Sequence, residues 1–192
     1  MKKGIFSLAL AVVFGVTATA TEPIDGEKKE VNVEKSKVTW KAYKVGGGHV
    51  GTIQLKEGAF MFDKGKLTGG EFVVDMTTLI PTDVEGESKD KLTNHLKSDD
   101  FFSVENHPTS KLVFTKAEAF NENSYTVTGN LTIKGITNPI TLVVSVYDNK
   151  ASATMKVDRA KYDVRYGSGS FFENLGDKTI YDEFDLVVDL EF

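Results

Sequence analysis

Apolar and polar residues alternate with a period of two through most of this chain, the pattern of strands that bury one face. Val38, Trp40 and Ala42 share one face, and Thr39, Lys41 and Tyr43 share the other. Gly46-Gly47-Gly48 interrupts this strand, and the alternation resumes at Ile53 and Leu55. Phe60 and Phe62 flank Met61 ahead of a turn at Asp63-Lys64-Gly65, and Phe72, Val74 and Met76 follow. Further on come Leu112 with Phe114, then the long stripe Tyr125, Val127, Gly129, Leu131 and Ile133. Ile140, Leu142, Val144 and Val146 form the next stripe, a turn falls at Asp148-Asn149, and Ala153, Met155 and Val157 continue beyond it. The chain ends on Phe184, Leu186, Val188, Leu190 and Phe192, alternating with Glu183, Asp185, Val187, Asp189 and Glu191.

Two segments depart from this period. In Ser88–Ser98, Leu92 and Leu96 lie four apart, on one helical face. Ser170-Phe171-Phe172-Glu173 has capping-box spacing, with Gly176 placed to end a short helix. The expectation is an all-β domain of about eight antiparallel strands with one or two short helices. Such strands must close on a partner face, as a sandwich or as a barrel. Short local turns and glycines at positions 51, 58, 69, 70 and 129, which permit bending, favour a barrel; periodicity leaves both open.

The first twenty residues follow another rule. Met1-Lys2-Lys3 precedes a largely apolar run from Ile5 to Val16 and the small-x-small sequence Ala18-Thr19-Ala20. This is the form of a secretory signal peptide over residues 1–20, and the run is too short for a bilayer span of about 20 residues. The destination expected is the periplasm or the exterior, with no stable membrane insertion. Residues 21–30 are charged and read as a flexible leader, and 31–192 as the folded domain. Loss of Lys2 and Lys3 moves the net charge from −5 to −7. An acidic chain lacks the basic stripe that nucleic-acid binding requires. With 0 Cys there is no disulfide, thiolate metal site or thiol nucleophile, even for an oxidising compartment.

Catalytic chemistry has little to stand on. His49, His95 and His107 lack the spacing of a zinc site, and no Gly-x-Ser-x-Gly elbow exists. The expectation is no metal, no cofactor and no enzymatic activity. The weaker alternative is a hydrolase or isomerase acting through His49 or His95. Gly167-Ser168-Gly169-Ser170 reads as a connection, with anion binding the lesser possibility. Asp158-Arg159 with Lys161 and Arg165 is the densest basic cluster: a solvated loop, or cations at a cavity mouth. The aromatic load is more informative. The chain has 13 Phe, several on inward stripes, and an eight-stranded barrel either fills with side chains or holds an apolar ligand.

Several blocks carry a resemblance: Val38-Thr39-Trp40, Gly48-His49-Val50-Gly51, Gly69 to Met76, Leu92-x-x-His95-Leu96-x-Ser98-x-Asp100-Phe101-Phe102, His107-Pro108-Thr109, and Gly129 to Thr137. In this order the chain resembles the YceI-like family from about Val31 to Phe192. The resemblance implies an extended eight-stranded antiparallel lipocalin-like barrel, with its helix over one end. It also implies an apolar channel for a polyisoprenoid or similar amphiphile, such as an isoprenoid quinone or a prenyl phosphate. The candidate ligand-binding residues are Trp40, Phe60, Phe72, Val74, Met76, Leu96, Phe101, Phe102, Phe114, Leu131, Met155 and Phe184. The candidate head-group residues are His49, Arg159 and Arg165. After Arg159 the chain reads Ala160-Lys161-Tyr162 where many family members carry a Phe-Gly step, so the head group tolerated here is open to difference. The alternative is a structural or stress-response barrel with a filled core. A homodimer is compatible on general grounds.

Overall fold

A computed structural model describes residues 26–192. The signal-peptide reading of 1–20 lies outside the described residues. Among the described residues there are nine strands: β1 (Glu27–Glu30), β2 (Lys37–Lys44), β3 (Gly47–Asp63), β4 (Lys66–Pro81), β5 (Thr109–Ala119), β6 (Ser124–Ile133), β7 (Ile136–Tyr147), β8 (Lys150–Asp158) and β9 (Ile180–Glu191). One α-helix, α1 (Gly86–Lys97), joins β4 to β5. Neighbours pair antiparallel from β3 through β2, β9, β8, β7, β6, β5 and β4, and β4 pairs back onto β3. This closes an eight-stranded barrel.

The ninth strand revises the leader boundary. Glu27–Glu30 pairs with Ala59–Phe62 on the half of β3 that β2 does not reach. β1 and β2 thus form one wall strand interrupted by an excursion at residues 31–36, between the segments paired with 59–62 and with 47–53 of β3. Sequence pattern missed β1 because it is charged throughout; backbone pairing holds it, and Lys29 lies over the rings of Phe62 and Phe192.

Two local expectations change. The helix begins at Gly86, two residues before Ser88, and buries Leu96. The capping box at Ser170 forms no helix. The amides of Phe171 and Phe172 both bond to the carbonyl of Ser168, and the Ser170 hydroxyl donates to Asp182 at 2.7 Å. Gly176, with φ 53°, opens a 3₁₀ turn, Gly176–Lys178, instead of ending a helix. A second 3₁₀ turn, Arg159–Tyr162, has no periodic signal in the sequence; the Asp158 side chain caps it by accepting from the Ala160 amide.

The meander sorts its connections between two ends. The hairpins 63–66, 119–124 and 147–150 and the chain's end at Phe192 gather at one; we call it the hairpin end. The turn between β2 and β3, helix α1, the turn between β6 and β7 and the segment 159–179 gather at the other, the helix end. Five phenylalanines, Phe60, Phe62, Phe72, Phe114 and Phe192, pack together toward the hairpin end, with ring centroids 4.9–6.4 Å apart. At the helix end Met76, Leu79, Leu96, Phe101, Val104 and Val164 form a second cluster.

Candidate ligand cavity

Inward parity on each strand builds a cavity along the barrel axis. Tyr125, Val127, Leu131 and Ile133 are buried on β6, whereas Thr126, Thr128 and Asn130 face outward. The other strands repeat this, so the bore is lined by side chains selected by nothing more than alternation. The free volume enclosed is ≈ 170 Å³.

All twelve residues expected to contact a ligand lie on this one wall: Trp40, Phe60, Phe72, Val74, Met76, Leu96, Phe101, Phe102, Phe114, Leu131, Met155 and Phe184. Trp40 is fixed by its indole, which donates to the carbonyl of Thr52 at 3.3 Å. Its ring lies over Gly51, where a Cβ would occupy the space of the indole and of the Ile80 carbonyl. Gly70 likewise leaves room for the rings of Phe72 and Phe114. These glycines, expected to let the strands bend, serve as clearances for aromatic side chains.

Lining residues that sequence reasoning passed over include Leu79, Ser110 and Ile180, and the inward alanines Ala42, Ala151 and Ala153. The alanines carry a readable signal. Small residues on an inward stripe take up less of the bore than the large aromatics on neighbouring stripes.

The three head-group candidates separate. Arg159 lies on the cavity wall and is 3% exposed. Its Nε donates to the carbonyl of Tyr181 at 3.2 Å, Nη1 to that of Val164 at 2.7 Å and Nη2 to that of Ile180 at 3.0 Å. Asp182 stands 3.3 Å from Nη2, and the guanidinium lies over the Phe101 ring at 5.4 Å. Burial pulls the Arg159 guanidinium below its usual range, opposed by the charges of Asp182 and Asp158. Arg165 does not join it. It is exposed, pairs with Asp163 and stacks on Phe171 at 5.1 Å. The 3₁₀ turn followed by Asp163 at φ 58° reverses the chain between the two arginines. His49 is also off the cavity; its Nδ1 sits 3.0 Å from Asp83. His95, weighed for catalysis, is wedged between the rings of Phe101 and Tyr166 at 5.6 and 4.3 Å.

A YceI-like domain model matches residues 28–192. The chain belongs to the YceI-like family. A UPF0312 protein of Pseudomonas putida (strain W619) is 31% identical over 145 residues, covering 73% of this chain and 71% of the relative. BcnA of Burkholderia cenocepacia superposes with a TM-score of 0.65 at 22% identity, over 83% of this chain and 98% of its own. A polyisoprenoid binding domain from Saccharophagus degradans, implicated in plant cell wall breakdown, superposes with a TM-score of 0.58 at 12% identity, over 84% and 95%. At these identities the superpositions establish the shared YceI-like barrel. Among the described residues no helix is long and apolar enough to cross a membrane, and no group of three or more His, Asp or Glu side chains is placed to hold a metal ion.

Proposed function

We propose that this YceI-like protein holds a polyisoprenoid or similar amphiphile, such as an isoprenoid quinone or a prenyl phosphate, for transport or storage outside the cytoplasm. The observation that carries the reading is the cavity: a bore lined from Phe60 to Phe101 by apolar side chains, with the buried cation Arg159 at its helix end. A twelve-residue wall strand such as β9 runs about 40 Å, which suits an extended chain rather than a compact ligand. Each CH₂ removed from water there contributes about 0.8 kcal/mol, against ordering costs of several kcal/mol. Export rests on the signal-like residues 1–20, and the ligand class on the family and on the polyisoprenoid-binding neighbour.

The free volume specifies how such a ligand seats. A cavity of ≈ 170 Å³ is below the ~300–1,000 Å³ of drug-sized sites. A long tail therefore enters by displacing wall side chains. Met76 and Met155, unbranched and adaptable, are placed to yield. The competing reading, a filled barrel that holds nothing, draws on the same small volume.

Organic extraction of the protein purified from its native host, followed by mass spectrometry, separates the two. The expected result is a stoichiometric isoprenoid-type lipid. Trp40 is the only tryptophan of the chain and lies on the cavity wall, so its emission reports occupancy directly. No extracted lipid, together with unchanged Trp40 emission across a panel of prenyl lipids, would discard the carrier reading.

A further inference from the structure

The polar groups around the cavity define which head group it admits. Lys111, Ser152 and Tyr181 border the space but occupy outward positions, alternating with inward Leu112, Ala153 and Ile180. The Lys111 ammonium is bound outside the wall, 2.7 Å from Glu71, and Ser152 and Tyr181 are exposed. Their side chains lie on the outer face of the wall. Apart from the Trp40 indole, the polar side chains that turn inward are Ser110, a buried hydroxyl, and Arg159.

Arg159 is already charge-compensated and in large part hydrogen-bonded. Three of its N–H groups serve backbone carbonyls, and Asp182 balances its charge at 3.3 Å. Asp158, on the preceding residue, adds a second nearby carboxylate. The second oxygen of Asp182 accepts from Ser170, which holds the carboxylate toward the arginine. A phosphate brought to this corner would meet no uncompensated cation while losing its own hydration, a heavy cost in an apolar bore. A hydroxyl or carbonyl head group loses far less, and the Ser110 hydroxyl can donate to it or accept from it.

We propose that the cavity selects an amphiphile with an uncharged head group, and that Asp182 sets this selectivity by compensating Arg159. The proposal rests on the lipid-holding reading above and narrows it.

The test uses the full chain, stripped of lipid, and a polyprenol against the polyprenyl monophosphate of equal length in the same neutral detergent. Trp40 emission follows displacement of a quenching prenyl quinone. The alcohol is expected to bind at least about tenfold more tightly than the phosphate, the order of one uncompensated charge at a partly buried site. Asp182→Asn should raise phosphate affinity by a similar factor and leave the alcohol unchanged, whereas Asp182→Glu should keep the wild-type preference. Equal or tighter phosphate binding by the wild type overturns the proposal while supporting a lipid carrier. An unchanged ratio in a folded Asp182→Asn overturns the role of Asp182. Should that variant not fold, the wild-type ratio still decides head-group selectivity. Binding of none of the three lipids overturns the carrier reading itself.

Discussion

The two ends of the barrel are closed by different chemistry. The hairpin end is closed by aromatic packing: Phe60, 1% exposed, touches Phe62, Phe72, Phe114 and Phe192, and tight turns bring the strands together around them. Offset and edge-on ring contacts need no polar partner and lose little if one ring shifts. The helix end is closed by segments that are not strands, α1 and residues 159–179; the second is tied to itself and to β9 by directed bonds from one buried guanidinium, which also lies over the Phe101 ring just beyond α1. The aromatic plug is held by many non-directional contacts. A closure that hangs on Arg159 releases as a unit when that side chain is lost. The contrast assigns a fixed floor to the hairpin end and the separable cover to the helix end.

Phe60→Ala attacks the floor and carries the largest effect. Removing a fully buried ring with four aromatic neighbours should cost about 3–5 kcal/mol in chemical denaturation. Hydrogen exchange should rise first in the paired segments 59–62 and 69–72, where Phe60 faces Gly70. A cost near zero would mean that the rings rearrange to fill the gap, and the floor would not be rigid.

Arg159→Met attacks the cover. It strips donors from the carbonyls of Val164, Ile180 and Tyr181 and leaves Asp182 without its cation. Breaking such a pair costs about 3 kcal/mol or somewhat more. The location of the damage sharpens the comparison more than its size. Exchange should accelerate across 159–181 and in α1, while the amides of 59–62 and 69–72 keep their protection. Uniform acceleration across both ends would show one cooperative shell with no separable cover.

Strand parity made most of the wall legible. Alternation alone put Trp40, Phe72, Leu131 and Met155 on the same side as Phe184, and all five line one cavity. Closure was not legible, because a period of two is common to sandwich and barrel; the pairing of β9 onto β2, residues 180–189 onto 37–44, is a long-range fact. β1 was invisible because a charged edge segment gains its place from backbone bonds. The basic cluster misled in a specific way. Arg159 and Arg165 are six residues apart in one polar loop, yet a 3₁₀ turn and a left-handed Asp163 send one inward and the other to solvent. His49 shares the strand that carries Ile53 and Leu55, but its ring is held by Asp83 off the cavity. Side-chain type announced a cation near the bore; only the turn geometry says which one.

The smallest effect tests whether the outer wall distinguishes the two ends at all. Outside the helix end, the Tyr43 hydroxyl donates to Asp185 at 2.7 Å and Lys156 stands 3.3 Å from the same carboxylate. The bond from Tyr43, ahead of that from Lys156, holds the Asp185 carboxyl below its usual range. Outside the hairpin end, Lys35 does the same to the partly exposed Glu191. A depressed carboxylate stabilises the fold fully above its unfolded pKa and loses that contribution as pH falls through the folded pKa, so both contributions are present at neutral pH and are lost only on the acid side, below about pH 4. Asp185→Asn should therefore lower stability at pH 7 by less than about 1 kcal/mol and flatten the acid limb of the stability curve. Glu191→Gln should change neither measurably, since an exposed pair is screened by solvent and salt. A large loss in either variant at neutral pH would mean that surface charge, and not the aromatic floor and the arginine-held cover, decides how the barrel stays shut.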